Sequence, residues 1–409
     1  MEEHFYVCLG QTVIRDRNMT DSINSDPAKA TVSRDFSRRQ FTRLAGLLGA
    51  GISFSQILPA AQARTPVSDE KSTNVIAYID KNEYWTGPLP QAARVAQKTI
   101  LSGNRYDPDH LHNDFLHTVS TVEHVPVEQI LVWQGSMDPL IRSIAAFASP
   151  ERGLVTVDPT FEVPWKVAKY LNIPVQRVPL TAAENYATST KALLKANPKA
   201  GLYYVCSPNN PTGTSTPLQE IKWLLDNKPA DAVVLVDEAY IHFTTNPSAL
   251  ALLQNRKDLI VLRTFSKLFG MAGLRVGLSF AHPELHQRMM RYDGEAATRL
   301  INVSALAGAK ESLLLPDQIK KRRDNMTAVR EAVEQHLQKR GIAFLPGSQA
   351  NMIMVDWGRP AADVAAAFEK RGVVIGRNWP IWPNISRVTI GSAEEMALFN
   401  QQVDRIFKS

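Results

Sequence analysis

Six short apolar runs, at residues 154–157, 175–178, 202–206, 233–236, 260–263 and 276–280, alternate with helical or loop stretches through the middle of the chain. Apolar strands separated by such segments read as an α/β fold built on a largely parallel sheet. A large domain is expected over residues 95–295. Beyond it, a charged helical stretch at 317–340 leads to strands at 351–356, 373–375 and 387–390 and a final helix near 394–407. Residues 296–409, joined by 64–94, are expected to form a smaller α+β lobe. The chain has 409 residues and 44% hydrophobic content, enough for two lobes with a sizeable core even without residues 1–63.

Polar signatures follow three of the strands. Ser207-Pro208-Asn209-Asn210-Pro211-Thr212-Gly213 comes after the run at 202–206, and its Asn-Pro and Thr-Gly pairs force a turn. Asp237 stands where the run at 233–236 should leave the sheet, the edge at which open α/β sheets bind ligands. Next comes Thr264-Phe265-Ser266-Lys267, with Arg275 eight residues beyond the lysine. A lysine amine can form an imine with an aldehyde cofactor, while neighbouring hydroxyls and a guanidinium hold a phosphate by charge-assisted hydrogen bonds.

In the order and spacing of these signatures the chain resembles the class I/II (fold type I) aminotransferases, most closely the histidinol-phosphate aminotransferase branch, from about Tyr78 to the C-terminus. The resemblance implies pyridoxal 5'-phosphate as cofactor. By it, Lys267 is the Schiff-base lysine, Asp237 the partner of the pyridine nitrogen, and Asn210 and Tyr240 the donors to the phenolic oxygen. Ser266 and Arg275 bind the phosphate, with Thr264 nearby. A carboxylate at the ring nitrogen keeps it protonated and the ring electron-accepting, and the released lysine amine can shuttle a proton. The segment Gly135-Ser136-Met137 precedes a helical pattern whose free amides can cup a phosphate, and the family places phosphate amides there. Phe161 matches the ring stacked on the cofactor. Tyr106 matches a tyrosine that reaches the phosphate of a neighbouring subunit, which calls for a homodimer.

Two arginines are expected to read the substrates, an amino acid and a 2-oxo acid. Arg387 matches the α-carboxylate clamp, where a bidentate guanidinium sets orientation. Arg377 aligns with the arginine that helps hold a distal phosphate, the alternative being an exposed rim charge. The family's substrate-facing tyrosine is replaced by Thr86 in Asn82-Glu83-Tyr84-Trp85-Thr86-Gly87. Trp85, Trp379 and Trp382 are candidates for lining an apolar side-chain pocket, unless buried for their area alone. His242 reads as a structural loop histidine. Transamination is the leading expectation. The same constellation also serves an oxidase, cyclase or lyase, and a non-catalytic binding protein is the remaining class.

The amino terminus reads as a Tat export signal. Ser37-Arg38-Arg39-Gln40-Phe41 is followed by an apolar stretch at 44–58 and by Ala61-Gln62-Ala63, a small-residue cleavage site. Periplasmic location, engagement of the Tat translocase and cleavage after Ala63 are expected. The apolar stretch is too short for a permanent membrane span. After cleavage, residues 64–409 carry 39 Lys/Arg against 34 Asp/Glu, a weak excess suited to an anionic cofactor and carboxylate substrates, and no basic arm points to nucleic acid. Cys8 leaves with the signal, so Cys206 has no intrachain partner, and neither it nor the histidines show metal-ligand spacing.

Overall fold

The core strands of the sheet are buried at every position, and their alternation divides them between two apolar clusters. Leu202, Tyr204 and Cys206, with Val233, Leu235, Ile260 and Leu262, join one cluster. Tyr203, Val205, Val234, Val236, Leu259 and Val261 join the other. A strand covered on both faces needs no polar position, which is why these runs read as continuously apolar. Full burial of each such side chain contributes roughly 1.5–3 kcal/mol.

The computed structural model describes residues 77–254 and 256–407. The twin-arginine segment, the apolar stretch at 44–58, the Ala61-Gln62-Ala63 site and Cys8 lie outside the described residues. The strands are β1 (Ala77–Ile79), β2 (Ile130–Trp133), β3 (Leu154–Asp158), β4 (Val175–Pro179), β5 (Leu202–Cys206), β6 (Val233–Asp237), β7 (Leu259–Thr264), β8 (Gly277–Ala281), β9 (Ala343–Phe344), β10 (Met352–Asp356), β11 (Val373–Ile375), β12 (Asn378–Trp379) and β13 (Trp382–Thr389).

A seven-stranded sheet has the order β2-β8-β7-β6-β5-β3-β4. All its pairings are parallel except those of β8, which runs against both neighbours. From β3 the chain moves outward to β4 and then returns to β5 on the other side, so the strand order reverses there. At such a switch point the carboxyl ends of the strands leave a crevice. A four-stranded antiparallel sheet, β12-β13-β10-β9, lies later in the chain, and β1 pairs in parallel with β11. The first described strand is thus tied to the C-terminal part of the chain.

The C-terminal helices match the charge and apolar pattern, at Pro316–Lys339 and Ala393–Ile406. The latter opens with a capping box, in which Ser392 and Glu395 satisfy each other's backbone amides. The helix Val303–Leu313, grouped by sequence with the C-terminal lobe, packs on the helices Pro90–Thr99 and Leu111–Glu123. Its Ala305, Leu306 and Ala309 belong to the core of the large sheet.

Candidate active site

Register and parity set the floor of the site. Cys206 and Asp237 are paired at the ends of β5 and β6, and Asp237 is in turn paired with Leu262 of β7. Being two residues beyond Leu235, Asp237 faces the same side as Tyr204 and Cys206. The Tyr204 hydroxyl donates to Asp237 Oδ2 at 2.9 Å, and the Ala239 amide donates to Oδ1 at 3.1 Å. Burial raises the Asp237 carboxyl above its usual range, and the Tyr204 hydrogen bond opposes this. Among the described residues this carboxylate makes no ion pair.

Lys267 stands three residues past the end of β7. Its turn closes at Gly270, where φ is +68° and a Cβ would lie 2.6 Å from the Thr86 carbonyl oxygen, so no larger residue fits without displacement. The Lys267 amine reaches the Lys81 carbonyl at 3.4 Å and lies 5.5 Å from the Tyr240 ring centre. Burial, then the Arg387 charge, draw its pKa down to about 8. Desolvation and a like charge both favour the neutral amine.

Lys267 and Asp237 face one cavity of about 680 Å³, which also exposes Asn210, Tyr240, Thr264 and Ser266. Ser266 Oγ accepts from Thr264 Oγ1 at 2.8 Å and from Arg275 Nη1 at 3.2 Å. Ser136 and Met137, at the start of the helix Met137–Phe147, line the same end. Gly135 permits this approach: its φ is +84°, and a Cβ there would collide with the Arg275 guanidinium. Phe161 lines the cavity wall.

Arg387, on β13, comes from the other sheet. Its Nη1 donates to Asn210 Oδ1 at 2.8 Å and its Nη2 to the Asp80 carbonyl. Asn210 therefore keeps its Nδ2 group to donate elsewhere. Arg387 Nε is buried without an acceptor, and burial lowers the pKa of the guanidinium. Tyr240 receives a hydrogen bond from Asn82 Nδ2 at 3.0 Å, and burial pushes its phenol upward. Arg377 reaches the cavity too, but it is paired with Glu162 at 2.8 Å.

Other expected residues lie elsewhere. Tyr106 is 86% exposed and outside this cavity. Thr86 accepts from Arg322 Nη2 at 3.1 Å and does not line the cavity. Of the three tryptophans none lines it: Trp85 stacks on Tyr84, Trp379 is buried with Leu345 and Met354, and Trp382 meets Tyr186 edge to face. Each is taken up by local packing, which corrects the expected side-chain pocket. His242 packs against Phe269, and burial drives its pKa down to about 3, as a structural histidine requires. Sequence reasoning missed Tyr204, whose parity with Asp237 on the adjoining strand was the available signal. It also missed Asp80 and Lys81, which follow β1 and have no motif of their own, and Glu83, which lies in the Asn82–Gly87 segment but was not singled out there.

These groups fit pyridoxal phosphate. Asp237 is a buried carboxylate without a cation, as a ring-nitrogen partner should be, and the Ser266, Arg275 and Ser136 cluster at a helix start suits a phosphate. A lysine amine and a buried carboxylate at adjacent strand ends of this sheet define a fold type I, pyridoxal phosphate-dependent transferase. Residues 79–403 match the family described as aminotransferase class I and II. A histidinol-phosphate aminotransferase of Rubrobacter xylanophilus is 31% identical, covering 82% of this chain and 93% of its own. An aromatic amino acid aminotransferase of Streptomyces avermitilis is 30% identical over 81% of this chain and 91% of its own. The histidinol-phosphate aminotransferase of Sinorhizobium meliloti, solved with pyridoxal-5'-phosphate, shares the fold with a TM-score of 0.73 at 20% identity, covering 82% of this chain and 91% of its own. The chain belongs to the class I and II aminotransferases, and is an enzyme that transfers amino groups with pyridoxal phosphate.

Proposed function

We propose that this enzyme moves an amino group between an amino acid with a ring-bearing side chain and a 2-oxo acid. The observation that carries the reading is the convergence of the Lys267 amine, the Asp237 carboxylate and the Arg387 guanidinium on one cavity. Support for a ring-bearing side chain comes from relatives named for histidinol phosphate and aromatic amino acids, and from apolar lining by Ala365 and Ile375.

When bound, pyridoxal phosphate supplies an electron-accepting ring that lets the substrate's Cα give up its proton. Lys267 would carry the cofactor's aldehyde and, once released, hold and move that proton; its lowered pKa keeps part of the amine neutral near pH 7. Asp237, oriented by Tyr204, would hold a positive charge at the ring nitrogen. Asn210 and Tyr240 would donate to the phenolic oxygen. Ser136, Thr264, Ser266 and Arg275 would bind the phosphate, with Met137 and Phe161 beside the cofactor. Arg387, which lines the cavity, would hold the substrate carboxylate.

The reading extends to the whole protein. The division into two lobes, expected over 95–295 and over 296–409 with 64–94, applies to the described residues among them, the helix Val303–Leu313 counting with the large sheet. A homodimer brings the exposed Tyr106 to a second copy's phosphate site. Export by the Tat translocase, with cleavage after Ala63, delivers the enzyme to the periplasm.

Products formed from an amino-acid panel with and without added 2-oxo acid test the chemistry. Conversion that requires the oxo acid is expected. Oxygen uptake or ammonia release without it would replace transamination by oxidation or elimination. Cell fractionation of the native chain against Arg38→Lys/Arg39→Lys tests export: periplasmic activity should vanish in the variant. Sedimentation of the holoenzyme tests the dimer.

A further inference from the structure

Arg377 and Arg387 stand side by side across two neighbouring segments, the Arg387 amide donating to the Arg377 carbonyl at 3.1 Å. Both guanidiniums lie against the buried Trp379 ring, at 4.8 and 5.9 Å from its centre. Two like charges thus meet at one end of the cavity, but they are not equivalent. Arg387 has a buried Nε with no acceptor and, among the described residues, no carboxylate partner. Arg377 already has one, Glu162 Oε2 at 2.8 Å.

Glu162 is well placed to stay there. It follows Phe161, which lines the cavity, and directly precedes the helix Val163–Tyr170, so its backbone is held at the rim. Its side chain is 18% exposed, and Lys166 approaches the same oxygen at 3.0 Å from the next helical turn. An anionic group arriving at Arg377 must displace this carboxylate or sit beside it. Either event opposes binding, whereas a neutral ring need not disturb the Glu162–Arg377 pair.

We infer that Glu162 is a specificity residue, an internal counter-anion that occupies Arg377 and turns the distal end of the cavity against substrates bearing a second anion, in favour of neutral rings. This rests on the proposed reading of the cavity as an amino-acid site with Arg387 on the α-carboxylate. Its effect is discrimination rather than chemistry: removing the Glu162 charge should release Arg377 to a distal carboxylate and leave the shared carboxylate at Arg387 untouched.

The test is calorimetric titration of the cofactor-loaded enzyme with two unreactive ligands, glutarate, which has two carboxylates, and 3-phenylpropionate, which has one and a ring. In Glu162→Gln, glutarate should bind roughly five- to tenfold more tightly, as expected for freeing a partly exposed charge, with 3-phenylpropionate within about twofold of its starting value. Adding Arg377→Gln to that variant should abolish the gain. Should Glu162→Gln not fold, Glu162→Asp, which withdraws the carboxylate by one methylene, should move glutarate in the same direction. Equal shifts for both ligands, or no shift for either, overturn the inference while leaving the amino-acid site standing. Failure of the unaltered enzyme to bind either ligand removes that site and the inference with it.

Discussion

Lys267 offers a stability measurement that isolates one buried amine. In the cofactor-free protein its pKa is drawn from 10.5 to about 8, chiefly by burial and then by the Arg387 charge. At about 1.36 kcal/mol per pKa unit, the charged form costs roughly 3 kcal/mol relative to the unfolded chain, a ceiling that partial exposure lowers to about 1–2 kcal/mol. The sign follows from proton counting. Below pH 8 both states hold the proton and the folded state bears the full penalty. Between pH 8 and 10.5 the unfolded state keeps its proton while the folded state loses it, so stability rises with pH. Lys267→Met removes the amine and keeps the length. The variant should therefore be more stable than the parent by about 1–2 kcal/mol at pH 7, and the gap should shrink above pH 8 and close only above about pH 10.5. Urea unfolding of both cofactor-free proteins at several pH values gives the difference directly, with other titrating groups cancelling. A gap that is absent at pH 7, or that does not shrink on going alkaline, would refute a desolvated Lys267.

Tyr204→Phe should destabilise the protein by roughly 1.5–3 kcal/mol, because Asp237 Oδ2 loses its donor inside the core, and the Asp237 carboxyl should titrate still higher. Thermal unfolding and cofactor titration check this; unchanged values in both would remove Tyr204 as a positioning residue. Gly135→Ala strains a backbone at φ +84° and presses a methyl into Arg275, so phosphate-dependent cofactor retention should fall at least tenfold in equilibrium dialysis, about 1.4 kcal/mol or more. Arg387→Lys leaves one ammonium where a fork serves Asn210, the Asp80 carbonyl and a ligand, and kcat/KM should drop about 100-fold, some 3 kcal/mol in steady-state assays.

Much of the fold was legible because strands buried on both faces cannot hide a polar position. The runs at 202–206 and 233–236 became β5 and β6 almost residue for residue. β2, only four residues long, escaped notice, since an apolar run of that length carries little periodic signal. The residues of the cavity were legible to the extent that they sit at strand ends. Asp237 ends β6, and Asn210 and Ser266 stand in the turns that follow β5 and β7. Trp379 and Trp382 misled because large apolar area is equally at home in a core and in a pocket, and composition does not distinguish them.

The linear order of residues determined the parallel sheet, its carboxyl edge and the lysine and carboxylate placed there, because each depends on local pattern and on chain connectivity. Only the folded chain decided which charges are spent and which remain available. Glu162 and Arg377 are 215 residues apart, yet they neutralise each other, and Arg387 is left with an unused donor though it stands beside Asn210 from 177 residues away. Electrostatic pairing depends on distance and burial in space, and neither is written in the spacing along the chain.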